Sequence, residues 1–215
     1  MTNTARALIC LVGCLTIPIV GQAQGTLERF SYDSVGFRGI QAGVGAMWSN
    51  KVETTAQFGL QIHLGEIAPR VRIMFGVSYF KADLTDEEIS RLEEGILQVV
   101  DDPSGNATVD LGQVQWQDIT LGGDVQYLIL GGGARRWQPY VGGGFSVHFR
   151  NGSGDRIGGT VIEENLDQLQ IGLDLTAGTD VRLTRSLVLN IGVRGVLTGN
   201  LNTFTLGVGL GYRVP

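Results

Sequence analysis

Residues 167 to 183 read DQLQIGLDLTAGTDVRL. Taken two by two, Leu169, Ile171, Leu173, Leu175, Ala177, Val181 and Leu183 fall on one side of an extended chain. Gln170, Gly172, Asp174, Thr176, Gly178, Asp180 and Arg182 fall on the other. Side chains alternate across a strand but recur every 3.6 residues in a helix, so this stretch is a strand with one greasy and one polar face. Seven more stretches repeat the pattern, at roughly 38–48, 55–65, 70–82, 112–130, 138–150, 186–197 and 201–213. Each reaches the ~9–11 residues that a tilted strand needs to cross a bilayer.

Composition agrees with an all-β chain. Of 215 residues, 33 are glycine, about twice the usual share, and they are interspersed with Val, Leu and Ile as strand residues. Closing eight long strands into an up-and-down antiparallel barrel removes the unpaired edges that an open sheet exposes. The connections sort into two sets. "GEIAP" at 65–69, "GGGARR" at 131–136 and "LTRS" at 183–186 are short turns, whereas links of about 83–111 and 151–166 are long. "SNKVET" and "TGN" are shorter connections on the same side as the long ones. Long loops at one end and tight turns at the other are the habit of barrels that span an outer membrane.

The first residues have the form of an export signal: Arg6, an apolar stretch from Ala7 to Val20, and a small-x-small site ending at Ala23. Cleavage there divides the chain into a signal peptide, 1–23, and a barrel domain, 24–215. Both cysteines, Cys10 and Cys14, lie inside the signal. "LVGC" at 11–14 resembles a lipobox, but the apolar run continues past it to Val20. The mature chain then has no thiol for a disulfide, a metal site or a nucleophile. No cofactor and no metal are expected.

Alternation alone leaves open which face is inside. A soluble periplasmic or lipid-anchored barrel would fill its interior with the greasy face and bind an apolar ligand. A membrane barrel would turn that face to lipid and pack Arg72, Asp124, Gln126, His148, Asp174, Asp180, Arg182 and Arg194 inside as a polar network. The mixed charge signs on that face, glycines beside long arginines, favour the second arrangement. Eleven of the 16 aromatics lie near strand ends: Phe37, Trp48, Tyr79, Phe80, Trp116, Tyr127, Trp137, Tyr140, Phe149, Phe204 and Tyr212. They are expected to form girdles at the two headgroup levels.

With its signal peptide, eight strands, "PYVGGGFSVHF" at 139–149 and a final "TLGVGLGY" at 205–212, the chain resembles the small outer-membrane β-barrel superfamily of the OmpA and OmpX type. The resemblance covers nearly the whole mature chain and rests on patterns of residue type. It implies a bacterial outer-membrane location, contact with membrane lipid, and recognition by the barrel-assembly machinery. Thr205, Gly207, Leu210 and Tyr212 match the family's carboxy-terminal assembly signal. The chain departs from that signal in continuing through Arg213, Val214 and Pro215, which are expected to form a short overhang.

Chemistry has few candidates. His63 and His148 take polar, inward positions, and Ser146 shares a face with His148. A lipid-A-modifying hydrolase would need such a pair, but no nucleophile motif surrounds Ser146, so a structural histidine is expected and an enzyme is the most distant reading. "NGSGDRIGG" at 151–159 faintly resembles one calcium-binding nonapeptide, without the stacked repeats such sites need.

Within 84–100 Thr85 and Glu88 form a capping box, and Ile89, Leu92, Ile96 and Val99 make an apolar stripe. One amphipathic helix is therefore expected in a loop, folded onto the rim or mouth or offered to a surface partner at 84–110. Residues 85–110 hold eight acids and Arg91 as their one base. With a formal charge of −5 and no basic run, nucleic acid is not an expected partner. The function read from the sequence is a structural or surface-interaction role for a closed barrel.

Overall fold

The computed structural model describes residues 35–99, 110–130, 135–154 and 168–214. The expected export signal, the centres of the loops at 100–109 and 155–167, and the GGGA of the second turn lie outside the described residues. Eight strands run in chain order: β1 (Gly39–Ser49), β2 (Thr55–Ala68), β3 (Val71–Asp83), β4 (Val114–Leu128), β5 (Trp137–Gly154), β6 (Gln168–Arg182), β7 (Leu187–Leu197) and β8 (Thr203–Arg213). One helix, α1 (Asp86–Val99), stands between β3 and β4. Each strand pairs antiparallel with its sequence neighbours, and β8 returns to β1 over a register from Gly39↔Arg213 to Ser49↔Thr203. The expected eight-stranded antiparallel transmembrane barrel is the observed architecture.

Burial decides which way the faces point. On β6 Leu169, Ile171, Leu173 and Leu175 are 68%, 73%, 44% and 57% exposed, while Asp174 between them is fully buried. Every strand repeats this inversion, so the greasy face is the outer one and the soluble-barrel arrangement is not what forms. Water would hydrate so continuous an apolar band at great cost, whereas lipid tails would not. Trp137 and Phe149 mark the outer edges of the band on β5. At ~3.4 Å per residue and a tilt of ~40° their separation along the barrel axis is roughly 30 Å. That is the thickness of a bilayer's apolar core.

Eight of the eleven strand-end aromatics are exposed at the two expected levels. Trp48, Tyr79, Phe149 and Phe204 stand at the loop end, with the Trp48 and Phe204 rings 5.9 Å apart. Phe37, Tyr127, Trp137 and Tyr212 stand at the turn end. The other three are corrections: Phe80, Trp116 and Tyr140 are buried inside the barrel. Their strand positions share parity with interior residues, so no membrane interface is within their reach.

The first turn is tighter than the stretch at 65–69 implies. β2 continues to Ala68, with register shifts between His63 and Glu66 and between Glu66 and Ala68. Gly65 at φ 98° and Arg70 at φ 72° accommodate the irregularity and the turn. The carboxy terminus also differs from the expected overhang. Arg213 is the last residue of β8 and pairs with Gly39, and the Val214 N–H donates to the Arg38 carbonyl at 2.9 Å. Two glycine positions show how large side chains fit inside. A Cβ on Gly178 or Gly192 would lie 2.7 or 2.9 Å from the Tyr140 hydroxyl, so the missing side chains make the space that this phenol fills.

The loop-end mouth is closed by an apolar cluster. Met47, Phe80, Ala82 and Trp116 rise from β1, β3 and β4, and Val52, Leu84, Leu111, Val114 and Leu201 join them. Ile89, Leu92 and Ile96 of α1 pack against this cluster, so the helix caps the mouth. The Thr85 hydroxyl accepts from the Glu88 N–H at 3.4 Å, which is half of the expected capping box. The other half is replaced: the Thr85 N–H donates to the Lys51 carbonyl, and the Glu88 carboxylate binds Lys51 and Arg91. Glu93 accepts from the Leu111 N–H at 3.0 Å and fastens the returning chain. The helix is thereby tied to two separate loop segments.

Candidate functional site: the polar interior

The inward positions of β3 to β8 assemble a stack of ion pairs along the barrel axis. At the loop end Asp118 is fully buried and accepts from Arg150 Nε at 2.9 Å, Thr120 Oγ1 at 2.7 Å and His148 Nδ1 at 3.1 Å. Arg150 also reaches Gln170 at 2.9 Å and Thr198 at 3.2 Å. Its guanidinium carbon lies 5.9 Å from the Trp116 ring centre, joining this tier to the apolar cap.

In the middle Asp174 accepts from Arg194 Nη2 at 2.7 Å and from Ser146 Oγ at 3.0 Å. Arg194 stands 3.8 Å from Asp124 as well, so one guanidinium serves two carboxylates. Toward the turns the ratio reverses. Asp180 receives Arg72, Arg213 at 2.6 Å and Asn190 Nδ2 at 2.8 Å. Arg72 donates to Gln126 at 2.8 Å and lies over the Tyr140 ring, 4.8 Å from its centre. Asp118, Asp124, Asp174 and Asp180 thus face Arg72, Arg150, Arg194 and Arg213, a neutral set of four against four. Balance matters because an unpaired buried charge is expensive.

Seven of the eight residues expected in the polar network lie in this interior: Arg72, Asp124, Gln126, His148, Asp174, Asp180 and Arg194. Arg182 stands apart, partly exposed at the turn-end rim, with no side-chain hydrogen bond to another described residue. His63 faces inward with Arg72, Met74 and Arg213, and neither of its ring nitrogens has a hydrogen-bond partner among the described residues. Asp118, Thr120, Arg150, Asn190 and Tyr140 belong to the network and escaped the sequence reading. Their signal was strand parity: Asp118 and Thr120 share that of Asp124 and Gln126, and Arg150 that of His148.

Ser146, His148 and Asp118 lie in line, with Ser146 Oγ 2.9 Å from His148 Nε2 and His148 Nδ1 facing the carboxylate. The order of a serine hydrolase triad is present, but it is buried and closely packed. Ser146 is 1% exposed. A single Cβ on Gly172 would approach Ser146 Oγ to 2.7 Å and His148 Nε2 to 2.9 Å, so the Gly172 side leaves no space for a scissile carbonyl. The serine hydroxyl donates to Asp174 while its oxygen lies against His148 Nε2, and so it joins the upper tier to the middle one. Beside the stack, an interior cavity of about 130 Å³ is lined by Gln41, Gln57, Ser78, Thr176 and Arg194 among others, but not by Ser146. Its walls alternate these polar side chains with glycines and valines, and it has room for several waters.

Thr205, Gly207, Leu210 and Tyr212, expected as the assembly signal, lie on β8 at the seam where the barrel closes. Leu210 and Tyr212 face outward at 52% and 53% exposure, and Thr205 Oγ1 donates inward to Gln57 at 2.8 Å. Gly207 pairs with Gly45 on β1 and Gly192 on β7.

No protein-family model matches the sequence, and no curated protein sequence matches it. Solved structures do. Ail, the attachment invasion locus protein of Yersinia pestis, superimposes with a TM-score of 0.50 at 12% identity, over 84% of this chain and 99% of that one. The outer membrane protein OprG from Pseudomonas aeruginosa gives 0.49 at 14% identity, over 84% and 98%. Neisserial surface protein A gives 0.48 at 15% identity, over 82% and 96%. At such identities the likeness is one of fold. The architecture of this chain is that of the small eight-stranded outer-membrane barrels of the OmpA and OmpX type.

Proposed function

We propose that residues 1–23 export the chain and are cleaved, and that residues 24–215 reside in a bacterial outer membrane as a structural, surface-interacting barrel without enzymatic activity. The observation that carries this reading is the inversion of faces around a neutral, hydrogen-bonded interior, with a lipid-scale greasy band outside. Thr205, Gly207, Leu210 and Tyr212 on the closing strand serve as the signal for the assembly machinery. The loops at the α1 end face the medium and the tight turns face the periplasm, the habit of such barrels. The exposed side of α1, including Asp86, Glu87 and Glu94, is the surface offered to a partner.

Labelling of intact cells tests the orientation. With Cys10 and Cys14 removed along with the signal, Glu94→Cys is expected to react with a membrane-impermeant maleimide on whole cells. Arg185→Cys, in the last turn, is expected to react only after the outer membrane is permeabilised. The reverse pattern, or equal reaction of both on whole cells, contradicts the proposal.

A further inference from the structure

The turn end carries a ring of arginines. Arg38, Arg70, Arg135, Arg136 and Arg185 are exposed and Arg182 is partly exposed. Backbone hydrogen bonds place them around the circumference. Leu128 N–H donates to the Arg70 carbonyl, Arg182 N–H to Arg136, Arg213 N–H to Ser186 beside Arg185, and Val214 N–H to Arg38. No ion pair joins any of the six to another described residue. Glu66 is the only acid outside the barrel interior among the described residues at this end, and it accepts from the Arg70 N–H at 3.4 Å.

The ring is neither scattered solvation nor a general excess of positive charge. Only Lys51 and Lys81 of the 16 basic residues in the chain are lysines, and both belong to the loop-end half, on β3 and the β1–β2 connection. The turn end is served by guanidinium alone, the group whose planar fork matches phosphate oxygens two at a time. The arginines also lie just beyond the turn-end aromatics. Arg38 follows Phe37 and precedes the outward Ile40, which pairs with Tyr212, and Arg135 stands two residues before the outward Trp137. At that height a long side chain has its stem along the edge of the apolar band and its head among lipid headgroups.

Resting on the membrane reading above, we propose that this ring binds the phosphates of anionic phospholipids in the leaflet at the turn end. The charge complementarity is one-sided: basic where phospholipid phosphate lies, acidic around α1 at the other end. The attraction of exposed arginines for an anionic surface is electrostatic and is lost with added salt.

The test uses the full mature chain folded into phosphatidylcholine vesicles containing about one-quarter phosphatidylglycerol. Spin-labelled lipids report the selectivity of the protein's first lipid shell. The expected result is severalfold preference for phosphatidylglycerol over phosphatidylcholine, falling to near parity in 0.5 M salt (roughly a 4 Å Debye length). The same near parity is expected in a variant carrying Arg38→Gln, Arg135→Gln, Arg136→Gln and Arg185→Gln. Undiminished preference in that variant, with its heat-modifiable band intact, overturns the proposal and leaves the membrane reading standing. No lipid preference together with arginine-dependent sedimentation on peptidoglycan overturns it in favour of the cell wall. Wild-type chain that stays in the supernatant, outside the vesicles, overturns the membrane reading itself.

Discussion

Asp180→Asn is expected to lower the stability of the folded barrel by about 3–5 kcal/mol, the cost of removing one partner from a buried ion pair. The effect is large because Asp180 is shared. Its carboxylate receives Arg72, Arg213 and Asn190, and it and Arg72 are each 4% exposed at the side chain. Asparagine keeps the shape and removes the charge, leaving two guanidiniums side by side with Arg72 buried. A urea titration of the protein folded in lipid vesicles, followed by tryptophan fluorescence, measures the loss. Adding Arg72→Met to Asp180→Asn restores the one-to-one charge balance and is expected to recover a substantial part of it. Asp124→Asn is expected to cost less, since Arg194 keeps its 2.7 Å partner Asp174 and Asp124 lies 3.8 Å away. Equal losses at the two positions would contradict the pairing described.

Leu175→Arg is expected to cost about 2–4 kcal/mol, the penalty for a cation on the lipid face at the bilayer midplane. The register fixes the depth: Leu169 lies opposite Phe149 and Val181 opposite Trp137, and Leu175 is halfway between. On the surface of a soluble protein the same exposed leucine would tolerate arginine to within about ±0.5 kcal/mol. Leu183→Arg serves as the internal comparison. It is similarly exposed but lies beyond Val181, where the expected cost is about 0–1 kcal/mol. A depth-dependent difference between these two variants, in the same urea titration, separates lipid from water as the solvent of the greasy face.

Most of the fold was legible because period-2 alternation is local. Leu169 to Leu183 specify a strand without reference to any other part of the chain, and eight such stretches with unequal links leave few arrangements that hide every edge. The interior was legible only in part. Which residues face inward follows from parity, and Arg72, Asp174 and Arg194 could be assigned on that basis. Which inward residues meet does not follow, because Arg72 and Asp180 are brought together by closure of the barrel. The same parity rule was available for the aromatics: Tyr79 and Phe80 are adjacent, so both cannot face lipid.

The cap and the arginine ring were hidden for a different reason. Met47, Phe80, Trp116 and Leu201 are distant in sequence, each an ordinary residue near a strand end, and they become one apolar floor for α1 only when the strands are aligned. The arginines of the turn end are likewise spread from Arg38 to Arg185, and net charge by segment dilutes them. The stripe Ile89, Leu92, Ile96 did show that the helix had a face to bury. What it buries against is a property of the closed barrel.

The most direct test of the central claim is outer-membrane fractionation of expressing cells followed by electrophoresis of unheated and boiled samples. A closed barrel whose greasy face meets lipid predicts that the chain sediments with the outer membrane. It also predicts that the unheated band migrates apart from the boiled one, because the detergent-resistant barrel opens only on heating. Recovery in the soluble periplasmic fraction, with no heat-dependent shift, would contradict the account.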